Sequence, residues 1–304
     1  MENRNNELVD KILRLKKEKN AVFLVHNYQR GEVQDIADYI GDSLGLSQSA
    51  AETDADLIVF CGVHFMAETA AIICPDKTVL LPDINSGCPM ADMITAEQLR
   101  QRKKELPGAY VVCYVNSTAE VKAESDICCT SANAVKVVES LDAGEILFVP
   151  DQYLGQYVST RTGREMHYWP GYCPTHVGIT TEDILQRKKE HPQAKVLIHP
   201  ECRPEVIELA DEVFSTGGMI RYARESETRE MIIGTEFGII HRLEKENPGK
   251  KFIRVSNKAI CPNMKLITLE KVLWALEDMK HQITVPEEIR LKAKTAVDRM
   301  LEIV

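Results

Sequence analysis

Short apolar runs recur at regular intervals along the chain, and they predict buried strands. Ala21–Val25, Ala109–Cys113 and Ala194–Ile198 lack the polar alternation of a half-solvated strand. Both of their faces are therefore expected to be covered, as in a parallel sheet flanked by helices. A second run follows each of them, at Leu57–Phe60, Ile146–Val149 and Met231–Ile233, and a third at Thr78–Leu81, Met166–Trp169 and Lys251–Val255. Amphipathic stretches separate these runs. The order predicted three times over is strand, helix, strand, helix, strand. Glu7–Lys19 and Glu287–Ile303 read as two further amphipathic helices.

Each third strand leads into one ten-residue pattern, C-P-x4-I-T-x-E. It occurs as Cys88-Pro89 with Ile94, Thr95 and Glu97, as Cys173-Pro174 with Ile179, Thr180 and Glu182, and as Cys261-Pro262 with Ile267, Thr268 and Glu270. The threonine is a predicted helix N-cap, and the glutamate suits the first turn of the helix. The cysteines lie 85 and 88 residues apart, and Gln101–Glu105 recurs letter for letter as Gln186–Glu190. Repeats of this length are too long for a solenoid, and each can hold its own small α/β layer structure. The predicted fold is α/β, with three pseudo-threefold-related α/β/α domains whose short parallel sheets surround a central cluster site. The expected boundaries are 1–100, 101–185 and 186–285, with a C-terminal helix at 286–304 packing back on the first domain.

The same offsets align polar residues. His26, Tyr114 and His199 fall in register at the ends of first strands. Tyr28, Asn116 and Glu201 follow two residues later, and Ser43, Ser131 and Thr216 (with Ser215 beside it) about 15 residues on. Ligands of open parallel sheets bind beyond the carboxyl ends of the strands. If those ends face inward, the polar side chains and the cysteines share one pocket. A purely structural position would keep similar chemistry in every copy. These positions diverge, as a pseudo-symmetric pocket for an asymmetric substrate requires. Histidine, carboxylate and phenol suit general acid–base work. The hydroxyls suit anion oxygens near helix N-termini, with simple helix capping as their structural alternative.

Composition narrows the classes. Formal net charge is −9, with 46 acidic against 37 basic residues, so nothing supports nucleic-acid binding. No apolar run approaches the roughly 18 residues that span a membrane, and the polar start does not resemble a signal peptide. A cytoplasmic location is expected. In that compartment nine cysteines argue against a disulfide framework. Three repeat-related thiolates with no fourth suit an iron–sulfur cluster that has one open iron. Zinc is the rival, although the chain lacks the close C-x2–4-C pairs typical of closed zinc sites. Cys61, Cys74, Cys113, Cys128, Cys129 and Cys202 stand outside the repeat and are expected to pack as small apolar groups. A redox role for Cys113, Cys128 or Cys129 stays open.

Ten segments in order along the chain resemble the quinolinate synthase family, the quinolinate synthetase A proteins of de novo NAD biosynthesis. They include His26-Asn27-Tyr28, Gly41-Asp42-Ser43, Gly87-Cys88-Pro89-Met90-Ala91, Tyr114-Val115-Asn116-Ser117, His199-Pro200-Glu201, Ser215-Thr216-Gly217-Gly218 and Asn257–Met264. The resemblance implies a transferase that condenses iminoaspartate with dihydroxyacetone phosphate to quinolinate, phosphate and water. It implies a [4Fe–4S] cluster on Cys88, Cys173 and Cys261. It also implies substrate contacts from His26, Ser43, Tyr114, Asn116, Ser131, His199, Glu201 and Thr216, to which the hydroxyl pattern adds Ser215 as a further expected contact. Tyr28 matches a residue of proton transfer, and Glu201 is expected to carry the main acid–base role, with His26 and His199 holding substrate oxygens. An L-aspartate oxidase or dehydrogenase would supply the imine. Two other readings remain: a different open-cluster hydro-lyase acting on a small acid, and a non-catalytic iron–sulfur sensor.

Overall fold

Twelve strands form three sheets of one design in the computed structural model, which describes residues 2–142 and 144–303. The first sheet contains β1 (Ala21–His26), β2 (Tyr39–Gly41), β3 (Leu57–Cys61) and β4 (Thr78–Leu80). The second contains β5 (Tyr110–Tyr114), β6 (Ile127–Cys129), β7 (Ile146–Val149) and β8 (His167–Tyr168), and the third β9 (Lys195–Ile198), β10 (Glu212–Val213), β11 (Glu230–Gly234) and β12 (Lys251–Arg254). The strand orders are β2-β1-β3-β4, β6-β5-β7-β8 and β10-β9-β11-β12. Every pairing is parallel. The first and third strands of each sheet, in chain order, are almost wholly buried, as their unbroken apolar composition requires.

Each sheet has one strand more than the apolar runs predict. The extra strands β2, β6 and β10 span only two or three residues, too few to show a period. An aspartate pins each of them to its neighbour. Asp38 Oδ2 accepts the Phe23 N–H at 2.7 Å, Asp126 Oδ2 the Val111 N–H at 2.7 Å, and Asp211 Oδ2 the Val196 N–H at 2.8 Å. The N–H of each aspartate donates back to the same strand residue's carbonyl. This reciprocal pair begins each edge strand and aims its end at the centre.

The repeated threonines cap as predicted. Thr95, Thr180 and Thr268 accept the N3 backbone N–H of helices Ala96–Glu105, Thr181–Glu190 and Leu269–Asp278. These helices pass to the next unit. Ala96–Glu105 packs on helix Ala119–Ala123 of the second unit, and Thr181–Glu190 on β11 and helix Pro204–Ile207 of the third. Leu269–Asp278 packs on the N-terminal helix Glu2–Glu18, and the Ile283 N–H donates to Val79 O in β4. The third of these capped helices, Leu269–Asp278, which spacing assigns to the third unit, therefore completes the first and closes the ring. The C-terminal helix Glu287–Leu301 also differs from expectation. It packs mainly on helix Ala119–Ala123 and β6 of the second unit, and also on helix His64–Ile73 of the first. Its buried face, Ala293, Ala296, Val297 and Met300, is narrow and small enough to lie between two units.

The Asp126→Ala substitution leaves the buried Val111 N–H without its acceptor. It is expected to lower stability by about 1–2 kcal/mol, seen as a lower urea midpoint at unchanged slope. An unchanged midpoint would show that the aspartate is incidental.

Candidate active site on the pseudo-threefold axis

The carboxyl ends of β1, β5 and β9 converge, and the residues that follow them line one cavity. Its walls include His26, Tyr28, Ser43, Tyr114, Asn116, Ser131, His199, Glu201 and Thr216, together with Cys88, Cys173 and Cys261. Of the residues expected there from sequence, Ser215 is the exception. Its hydroxyl caps helix Thr216–Glu225 by accepting the Gly218 N–H at 3.2 Å, and it lies 3.2 Å from Asp42 Oδ2. It is committed behind the wall. Asp42 likewise caps helix Ser43–Glu52, so capping falls one residue before Ser43 and Thr216 and leaves those two facing the cavity.

Glu201 is the centre of the polar network and is only 3% exposed. Its Oε1 accepts from Tyr114 Oη at 2.5 Å and from Asn116 Nδ2 at 3.5 Å. Its Oε2 lies 2.6 Å from His176 Nδ1. Burial opposes ionisation, but the neighbouring His176 and His199 and the bonds from His176 and Tyr114 prevail, holding the carboxyl well below the usual carboxylate range. The chain continues through His176. Its Nε2 is 2.7 Å from Thr235 Oγ1 and 3.4 Å from Tyr28 Oη, and Tyr28 Oη also bonds Thr235 Oγ1. A carboxylate on Nδ1 fixes the proton there and leaves Nε2 as the acceptor. A proton can thus pass from Tyr28 to Thr235 as the Thr235 proton passes to His176. Burial, then the Glu201 charge, pushes the Tyr28 phenol well above its ordinary range, so the phenol rests protonated and needs such an acceptor to react.

His26 and His199 share one local design. Nδ1 of each accepts the backbone N–H two residues on, from Tyr28 at 3.1 Å and from Glu201 at 3.3 Å. The neutral ring then carries its proton on Nε2. Burial lowers both rings from 6.5 to about 3, helped at His199 by His176.

The cysteines are free thiols. Burial pushes Cys88 up to about 12 and raises Cys173 and Cys261 as well, so a bound metal must supply the charge that removes their protons. Four zinc ligands at about 2.3 Å would put thiolates about 3.8 Å apart. Among the described residues, the one group of three such donors lying within 4.8 Å is Cys173, His176 and Glu201, and the three cysteines are spread more widely. That group could hold a metal ion, but His176 Nδ1 and Glu201 Oε2 lie at hydrogen-bond distance, 2.6 Å, and are engaged with each other. An all-sulfur donor set too wide for one ion fits a polynuclear iron–sulfur group.

Sequence reasoning missed His176, Thr235 and Glu236. The signal was present. In C-P-x-x the last position is Ala91, His176 and Met264, and the offset of 85 carries Pro150-Asp151 onto Thr235-Glu236. These positions diverge among copies just as the recognised ones do. Gly171, close before Cys173, is required by space, since a Cβ there would meet Pro150 O at 2.4 Å. No helix among the described residues is long and apolar enough to cross a membrane.

Residues 10–302 match the profile of the quinolinate synthetase A protein. The quinolinate synthase of Dehalococcoides mccartyi is 62% identical over 97% of both chains. Those of Methanosarcina barkeri and Thermodesulfovibrio yellowstonii are 59% and 56% identical, covering 98% of this chain and 98% and 99% of their own. Among solved structures, the E-1-hydroxy-2-methyl-but-2-enyl-4-diphosphate reductase of Plasmodium falciparum aligns over 85% of this chain and 80% of its own. Its 12% identity and TM-score of 0.30 are too low to bear on fold or function.

The two depressed histidines give stability a definite pH dependence. The unfolded chain binds their protons first, so stability falls as pH drops below about 6.5 toward 3. The thermal midpoint is expected to fall between pH 7 and 5, and less steeply with both His26→Gln and His199→Gln in place. An equal slope would show that these rings do not carry the effect.

Proposed function

This chain belongs to the quinolinate synthetase A family, and from that membership we propose that it is a quinolinate synthase. It joins iminoaspartate to dihydroxyacetone phosphate and releases quinolinate, phosphate and water in NAD biosynthesis. The observation that carries the reading is the convergence of three partly buried thiols with an acid–base relay on one pseudo-threefold cavity. Cys88, Cys173 and Cys261 would hold a [4Fe–4S] cluster. Such a cluster supplies, through its one iron without a protein ligand, a Lewis acid for dehydration.

The side chains supply the rest. Both substrates are anionic. Ser43, Ser131 and Thr216, near helix N-termini, offer hydroxyl donors to carboxylate or phosphate oxygens. Neutral His26 and His199 direct Nε2–H at substrate oxygens without adding a charge. Asn116 Oδ1 is buried with no partner among the described residues, so it can accept the N–H of the imine. Tyr28 moves the protons of enediol formation and dehydration, passing them through Thr235 to His176. Glu201 does not suit the main acid–base role expected of it. Its lowered pKa makes it a weak base, and its two oxygens are engaged. Its task is to orient His176 and stabilise the ring when it is protonated. Iminoaspartate hydrolyses in water, so a source such as an L-aspartate oxidase or dehydrogenase is the expected partner activity.

The deciding experiment supplies anaerobically loaded protein with freshly generated iminoaspartate and dihydroxyacetone phosphate and measures quinolinate. Formation of quinolinate is expected, and none from a protein with full cluster content would overturn the reading. Glu201→Gln and His176→Gln should keep their iron and lose about 10²–10⁴ in turnover. Cys173→Ala should lose the cluster, and full iron in that variant would remove Cys173 from the ligand set.

A further inference from the structure

We propose that the ion pair of partly buried Lys265 with fully buried Glu236, absent from the other two repeats, is a positioning device. It holds the Cys261 loop and the backbone of Tyr28 in one register and neutralises the carboxylate beside the Cys261 thiolate. The inference rests on the reading that Cys261 is a cluster ligand.

Glu236 follows Thr235 at the end of β11 and is fully buried, at 0% exposure. Its Oε1 accepts the Cys261 N–H at 3.2 Å, and its Oε2 accepts the Gly238 N–H at 2.7 Å. Lys265 Nζ sits 3.0 and 3.1 Å from the two oxygens. The same ammonium donates to the carbonyl of Tyr28 in the first unit. One cation thus ties the backbone of Cys261, through Glu236, to the residue at which the proton relay begins, Tyr28, 237 positions from Lys265 in the chain.

Two further observations make the knot more than a surface ion pair. Gly238 has an ordinary helical φ of −58°, so its backbone does not need glycine. A Cβ there would nevertheless come within 2.6 Å of Lys265 Nζ, 2.7 Å of Tyr28 O and 2.8 Å of Glu236 Oε2, so glycine is needed for space. The repeats also differ at these places. Lys265 aligns with Asp92 and Val177, and Glu236 with Val63 and Asp151. Descent from a common repeat therefore does not explain the pair.

The electrostatics fix the order of effects. An anionic carboxylate bonded to the N–H of a thiolate ligand repels that ligand unless a cation accompanies it. Removing one member of a buried pair leaves the other uncompensated, while removing both is milder. Lys265→Met should therefore harm the cluster more than Lys265→Met combined with Glu236→Gln.

The test loads each variant anaerobically and follows bleaching of the cluster's visible absorption under excess chelator, with circular dichroism reporting the fold. Lys265→Met is expected to lose its cluster at least about tenfold faster than the parent, and the double variant to recover most of that loss. Gly238→Ala keeps both charges but intrudes on them, and it should also release the cluster faster. It serves as the independent test if Lys265→Met does not fold. A folded Lys265→Met or Gly238→Ala with the parent's release rate would overturn the proposal, as would a double variant no better than the single. Cluster release is read without turnover, so a failure of quinolinate formation and a failure of this device remain separate results.

Discussion

A single buried carboxylate sets the terms for the centre of this molecule. Glu201 sits where three units meet, almost entirely out of water, and an uncompensated charge there would cost several kcal/mol. It is tolerated because donors reach it from elsewhere in the ring. Tyr114 and Asn116 come from the end of β5, and His176 comes from the turn after Cys173. All three donors belong to the second unit while Glu201 belongs to the third, so the network exists only where those two units meet. Through His176 the network reaches Tyr28 of the first unit, so the polar centre requires the three sheets to face inward together, and their common strand order and parallel pairing achieve this.

The repeat supplies the scaffold, and its departures from symmetry supply the chemistry. What is kept in all three copies is structural: the aspartate that starts each edge strand and the threonine that caps each crossing helix. The cysteines are kept as well, as the proposed iron–sulfur cluster would require of ligands that approach it from three sides. What varies is the side chain presented at each strand end. His176 stands where the other copies have Ala91 and Met264, and Lys265 where they have Asp92 and Val177. One proton relay and one cationic knot result, each present once, in a frame that is otherwise nearly threefold. Such asymmetry lets a symmetric scaffold distinguish the two ends of a condensation.

In the proposed function the network moves the seat of proton transfer from Glu201 to Tyr28. A carboxylate saturated by Tyr114 and His176 is poorly placed to take protons from carbon. A phenol buried beside Thr235 and His176 is better placed, because the Nδ1–Glu201 contact leaves Nε2 free to receive a proton. Glu201 thereby acts through the tautomer that it imposes.

The strands buried on both faces, the threefold spacing, the cysteine triad and most of the cavity wall were legible in the amino-acid sequence. Apolar runs report burial directly, and repeat offsets align equivalent positions without coordinates. The short edge strands were not legible, because two or three residues carry no period and their stability lies in an aspartate bond to a distant strand. Nor was the role of Ser215, since a hydroxyl before a helix can cap it or face a ligand with the same local sequence. Only tertiary structure decided that helix Leu269–Asp278 completes the first unit, that His176 bridges Glu201 and Thr235, and that Lys265 reaches Tyr28. These are contacts between segments from 25 to more than 250 positions apart. The physical reason is that local sequence determines which groups a segment can offer, whereas packing between units determines which partner each buried polar group must find.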